Sequence, residues 1–141
     1  MLQTSSSANL IDRVLGTTLK NWTGLVDAVR TGLPVTTIDT LVGAHRITNA
    51  EVDQVIVPRK TLANRKRIGT LTPEQSDRLL RVARVIALSE EAFGSKDKAS
   101  IWLRRKTTAL DDQSPLDMLD TNEGAHQVEV LLGRIRHGLA A

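Results

Sequence analysis

Four residues, Thr72-Pro73-Glu74-Gln75, constrain the fold of this chain more than any others. A threonine hydroxyl accepts one of the orphan N–H groups at a helix start. Proline has a preset φ and no N–H to satisfy at the first helical position, and a glutamine three residues past the cap reaches back to it. Apolar residues follow at helical spacing: Leu79, Val82, Ile86 and Phe93, with Leu80 and Ala83 beside them, before Gly94. One long helix is predicted from Pro73 to about Phe93, stopped by Gly94. Its broad apolar stripe has to be covered by other elements.

The rest of the chain carries the same punctuation. Leu10, Ile11, Val14, Leu15 and Leu19 predict a first helix over Leu10–Leu19, and Leu25, Val26 and Val29 a second that ends at Gly32. Pro34 suits the first turn of a third helix running to about Ala44. Thr48-Asn49-Ala50-Glu51 reads as a capping box for a short helix to about Ile56, and Pro58 opens another over Arg59–Ile68, ended by Gly69. Ser95 caps the helix bearing Ala99, Ile101, Trp102 and Leu103. Ser114-Pro115 starts a helix of one to two turns through Leu119, and a final helix spans Glu123 to about His137, with Val128, Leu131, Leu132, Ile135 and Leu139 on one side. No segment alternates with period two for long enough to be a strand. The expected fold class is all-α. Residues 1–9 read as a flexible tail, 10–70 as a helical region holding a helix-turn-helix, and 71–141 as a small helical binding domain.

Trp22, Phe93 and Trp102 are the only aromatic residues, so the core has to be aliphatic. Cysteine is absent, which removes disulfides and thiolate chemistry. No leader-like start and no apolar run near the ~20 residues of a membrane span is visible. A cytoplasmic protein with no membrane partner is expected. The net charge of +3 is modest, but its distribution is uneven. Arg59, Lys60, Arg65, Lys66 and Arg67 crowd one stretch without an acid, and Asp111, Asp112, Asp117, Asp120 and Glu123 crowd another without a base.

The basic stretch lies on the second of two short helices, the arrangement of a DNA-reading unit. Arginine can grip guanine, asparagine can read adenine, and lysine suits phosphate. Arg59, Lys60, Thr61, Asn64, Arg65, Lys66 and Arg67 are the candidate DNA contacts. The competing reading is an ordinary solvated face. The connecting segment Val55-Ile56-Val57-Pro58 is β-branched, and such residues tolerate positive φ poorly, so a turn of unusual geometry is expected.

The last third adds an ordered string: Trp102-Leu103, Leu110, Ser114-Pro115-Leu116, Glu123-Gly124, Val128, Leu132, Arg134-Ile135 and His137-Gly138. Together with Leu71 to Leu79 and Phe93-Gly94, it resembles the toxin-binding domain of Xre/MbcA/ParS-type antitoxins. The resemblance runs from about Lys60 to Gly138. It departs from the family at Lys106-Thr107-Thr108, where a Pro-Asn is common, and at Lys60-Thr61-Leu62, where Arg-Thr-Leu is common. It implies an Xre-like helix-turn-helix region, followed by a domain that covers the active site of a cognate toxin. The toxin implied most often is a RES-domain, NAD-consuming one. Candidate toxin contacts are Trp102, Arg134, Arg136, His137, Gly138, Ala140 and Ala141. For Trp102 the plainer role is core filler, and for Gly138 a helix cap.

Nothing in the chain suggests turnover, a cofactor or a metal. His126 and His137 lie about 16 Å apart along one helix, too far to share an ion. No nucleophile elbow or phosphate-cradling glycine loop is present. The resulting expectation is a homodimeric antitoxin of a type II toxin–antitoxin system that neutralises its toxin and represses its own operon. The alternatives are a helix-turn-helix regulator whose C-terminal half only dimerises, and an interaction module that never touches DNA.

Overall fold

The computed structural model describes residues 7–138. Eight α-helices occur among them: α1 (Ser7–Leu15), α2 (Trp22–Thr31), α3 (Thr36–Gly43), α4 (Asn49–Val55), α5 (Arg59–Ile68), α6 (Pro73–Phe93), α7 (Lys96–Arg104) and α8 (Asn122–Arg136). Two 3₁₀ turns, Thr108–Leu110 and Leu116–Asp120, lie between α7 and α8. The described residues form no strand, only isolated bridges at Pro34–Thr70 and Thr107–Gln113. The all-α class holds.

The long helix has its predicted bounds. Thr72 Oγ1 accepts the Gln75 N–H at 3.2 Å, and Gln75 Oε1 accepts the Thr72 N–H at 2.9 Å. The chain divides into two units between Arg84 and Val85, inside α6. The sequence suggested a boundary near residue 70. Hydrogen bonds explain why the first turns of α6 belong with the N-terminal unit: Leu71 N–H donates to Leu33 O at 2.8 Å, Val35 N–H to Gly69 O at 3.0 Å, and Leu33 N–H to Ser76 Oγ at 2.8 Å.

In the N-terminal unit α1 packs on α2 and α3. Ile11, Val14, Ile38, Leu41, Ile47, Val52, Leu79 and Val82 are buried there. In the C-terminal unit α7 and α8 pack on the Leu116–Asp120 turn, over buried Ile86, Leu103, Leu119, Val128 and Leu132. Both cores are aliphatic, as the scarcity of aromatics requires.

Three local expectations change. Residues 7–9, assigned to a tail, are the first turn of α1, with Ala8 buried; the remainder of that tail lies outside the described residues. Helix α1 stops at Leu15, four residues early, because Asp12 captures the chain beyond it. Its carboxylate accepts the Thr17 hydroxyl at 2.5 Å, the Leu19 N–H at 2.8 Å and the Lys20 N–H at 3.0 Å. Pro34 does not open α3. It occupies the bridge to Thr70, where its missing N–H costs nothing, and the helix begins at Thr36. Just before it, Gly32 has φ +96, and a Cβ there would lie 2.2 Å from Leu71 O, so only glycine permits this approach.

Two predictions arise here. Ser76 is fully buried, and its hydroxyl satisfies an amide 43 residues away. Ser76→Ala leaves that N–H orphaned and lowers stability by about 1–3 kcal/mol, read as a shift in the urea midpoint. Asp12 gives a pH signature. Burial raises its carboxyl pKa, but hydrogen bonds from Thr17, Lys20 and Leu19 outweigh this and hold it below its ordinary value of 3.8. The charged carboxylate therefore stabilises the fold above that value, and the contribution disappears as pH falls through the lower folded pKa. Asp12→Asn costs about 1–2 kcal/mol at neutral pH, and the gap between the two proteins closes in acid titrations of unfolding.

Candidate functional site

Helices α4 and α5 follow each other directly, joined by the short connection Ile56-Val57-Pro58. Thr48 caps α4 reciprocally: its Oγ1 accepts the Glu51 N–H at 3.1 Å, and its N–H donates to Glu51 Oε1 at 2.9 Å. The connection is built on ordinary backbone. Ile56 has φ −115 and Pro58 φ −57, and the left-handed non-glycine residues among those described are Lys20, His45, Asp111 and Asp112. The β-branched residues Val55, Ile56 and Val57 are all buried. They serve as an apolar plug that seats the turn in the core, and no unusual backbone is needed. Asp53 then fixes the start of α5, its Oδ1 accepting the Arg59 N–H at 2.6 Å.

No residue of α5 is buried. Thr61, Leu62 and Arg65 are half-buried, and at 100° per residue they share one side. Arg59, Lys60, Ala63, Asn64 and Arg67 share the opposite, exposed side, with Lys66 exposed at its edge. Arg67 donates to Asn64 Oδ1 at 2.8 Å, which pre-orients both groups. Arg65 donates its Nε–H to Thr70 O at 2.7 Å and so braces the loop after α5. The seven candidate DNA contacts thus separate. Five lie on an outward side of the helix that carries no acid of its own, with the Asp53 carboxylate at its start, while Thr61 and Arg65 face the body of the unit.

In the C-terminal unit, Ser95 Oγ accepts the Lys98 N–H at 3.2 Å and starts α7. Trp102 is 7% exposed, its ring 5.5 Å from that of Phe93 at 45°. Ser114 Oγ accepts the Asp117 N–H at 3.2 Å and shapes the 3₁₀ turn. Thr121 caps α8 through the Gly124 N–H at 2.9 Å. A Cβ on Gly124 would lie 2.0 Å from Met118 O, so the turn and α8 meet only because this residue is glycine. Gly124→Ala is expected to cost more than 2 kcal/mol, since backbone must move; differential scanning calorimetry would show this as a lowered Tm.

Arg134, Arg136, His137 and Gly138 are exposed at the end of α8. Arg136 pairs with Glu91 at 3.0 Å. Ala140 and Ala141, also candidate toxin contacts, lie outside the described residues, as does Leu139. A cleft of about 330 Å³ opens in this unit, lined by Phe93, Trp102, Arg105, Lys106, Thr107, Leu131 and Ile135. Of these, only Trp102 was a sequence candidate. The available signal was the basic run Arg104-Arg105-Lys106 at the end of the tryptophan helix. Among the described residues no cluster of His, Asp or Glu could hold a metal ion, and no helix is long and apolar enough to cross a membrane.

Residues 24–84 match the antitoxin Xre-like helix-turn-helix domain, and residues 89–138 match the antitoxin Xre/MbcA/ParS C-terminal toxin-binding domain. The chain is 34% identical over 130 residues to antitoxin Xre of Yersinia enterocolitica, an alignment covering 90% of this chain and 88% of that protein. This chain belongs to the Xre/MbcA/ParS antitoxin family. A second antitoxin Xre, from Pseudomonas putida, is 40% identical over 93 residues, covering 65% of this chain and 58% of that protein. A more distant relative is the Prs ADP-ribosylating antitoxin of a Sphingobium species, 24% identical over 127 residues, covering 82% of this chain and 80% of that protein. The antitoxin therefore joins a DNA-binding helix-turn-helix domain to a toxin-binding domain. The first match ends at Arg84, the residue at which the two structural units divide.

Proposed function

We propose that this antitoxin neutralises a co-encoded RES-domain, NAD-consuming toxin and represses its own operon as a homodimer in the bacterial cytoplasm. The observation that carries this reading is the order of the two units. An acid-free basic helix face lies in the half that matches a helix-turn-helix domain, and a separate helical unit matches a toxin-binding domain. The name of the Sphingobium relative, an ADP-ribosylating antitoxin, supports a toxin that consumes NAD.

Inhibition is steric in this proposal. The C-terminal unit covers the toxin's catalytic cleft, and Arg134, Arg136, His137 and the segment from Gly138 to Ala141 lie at the contact. Trp102 contributes by holding the unit together and by forming one wall of its cleft. In the N-terminal unit Arg59, Lys60, Asn64, Lys66 and Arg67 contact operator DNA, with lysine and arginine on phosphates and Asn64 aimed at a base edge. A twofold dimer would present two such helices to a palindromic site.

Two assays test the proposal. Purified antitoxin mixed with the co-encoded toxin should form a stable complex and stop NAD loss. Deleting Gly138–Ala141 should restore at least tenfold more NAD loss at equal protein. Unchanged neutralisation by the shortened chain rules out a role for that segment. Retention of the upstream DNA in a gel separates an operon repressor from a module that only binds protein.

A further inference from the structure

The cleft of the C-terminal unit has a composition that selects its occupant. Phe93, Trp102, Leu131 and Ile135 supply apolar wall, while Arg105 and Lys106 add exposed cations at the rim. Among the described residues no carboxylate lines it. Glu91, which is close in sequence to Phe93, is held by Arg136, the neighbour of Ile135. The cations are carried on ordered backbone. Arg105 ends α7, its N–H donating to Trp102 O at 3.2 Å. Thr107 pairs with Gln113, and Thr107 O accepts the N–H groups of Leu110 and Asp112 at 3.1 and 3.0 Å. The backbone of the rim is thus held in place, and ordering on binding is confined to the exposed Arg105 and Lys106 side chains.

From this geometry we infer that the cleft is the seat for an acidic–apolar segment of the toxin, one that presents an aliphatic or aromatic side chain beside a carboxylate. The inference rests on the toxin-binding role proposed above and assigns the chemistry of the contact. A neutral apolar side chain would leave two cations unmatched. A bare phosphate would have to shed water against indole and isoleucine. A carboxylate next to an apolar group satisfies both halves, and partial exclusion of water over the ring pair strengthens its attraction to Arg105. A cleft of about 330 Å³ accommodates two or three side chains. Base stacking does not fit, because the Trp102 ring is 7% exposed and already lies against Phe93.

The test uses the full-length antitoxin and the toxin encoded beside it, with affinity measured by calorimetry. Two variants separate the halves of the site: Arg105→Glu with Lys106→Glu at the rim, and Ile135→Ser at the wall. Each should weaken the complex at least tenfold, with operator retention and the unfolding midpoint unchanged in the rim variant. In a Trp22→Phe background, Trp102 should transfer excitation to the apolar anion 8-anilinonaphthalene-1-sulfonate, and added toxin should displace the dye. A rim variant that holds the toxin within tenfold of the parent overturns the inference and leaves the proposed function standing. So does an Ile135→Ser variant with parental affinity, which would reduce the rim effect to general charge attraction. If the parent itself forms no complex, both readings fall together.

Discussion

Reversing two charges on α5, Lys60→Glu with Arg67→Glu, is expected to abolish operator retention by this antitoxin, with a loss of at least about 100-fold at 0.15 M salt. Both side chains are exposed on the acid-free side of the helix, together with Arg59 and Asn64. Each charge-assisted contact is worth about 1.5–3 kcal/mol, and reversal replaces attraction to phosphate with repulsion. Losing two contacts also flattens the salt dependence, changing the slope of log K against log salt by about 1.8. The helix should tolerate the change, because neither side chain contributes to the core. Circular dichroism and toxin neutralisation therefore serve as controls that stay at parental values. The milder pair Lys60→Gln and Arg67→Gln should fall between, and Arg65→Ala should act differently. Arg65 braces Thr70 O, so its loss should lower stability before it changes the salt slope. A gel shift series at several salt concentrations distinguishes these outcomes.

Trp102→Ala should have the largest effect on stability. The ring is nearly fully buried, packs against Phe93 at 5.5 Å with the two planes tilted by 45°, and walls the cleft. Removing a buried tryptophan costs about 3–5 kcal/mol, and the lost ring pair adds about 0.5–1.5 kcal/mol. A domain's whole stability is about 5–15 kcal/mol, so the C-terminal unit should be partly unfolded at 37 °C and neutralisation should fail. Trp102→Phe keeps most of the apolar area and should retain both fold and neutralisation. Parental thermal unfolding in Trp102→Ala would show that the ring does not hold this unit together.

The helices were legible because their ends are written in local chemistry. Thr48, Thr72 and Ser95 cap as their neighbours predict, and Gly69 and Gly94 lie just past helix ends. Where the reading missed, a polar or backbone partner that apolar spacing does not reveal had decided the local outcome. Asp12 ends α1 through a side chain one turn back, and Thr70 draws Pro34 out of α3 from 36 residues away. Asn21, which caps α2 through the Gly24 N–H at 2.9 Å, lies between the two apolar runs, where spacing carries no signal. The β-branched run Val55–Val57 looked like a strained turn because burial is not visible in spacing. For the sites, charge was legible and direction was not. The sequence grouped seven residues of α5, whereas the helix turns two of them inward. The cleft needed α6, α7, the following loop and α8 together, and no single window of sequence contains all four.

The most direct test of the account is to titrate purified antitoxin into its co-encoded toxin while following NAD. The account predicts a stoichiometric end point at which NAD loss stops and the two chains elute as one complex. A toxin that keeps full activity at excess antitoxin, with the chains eluting apart, would contradict it.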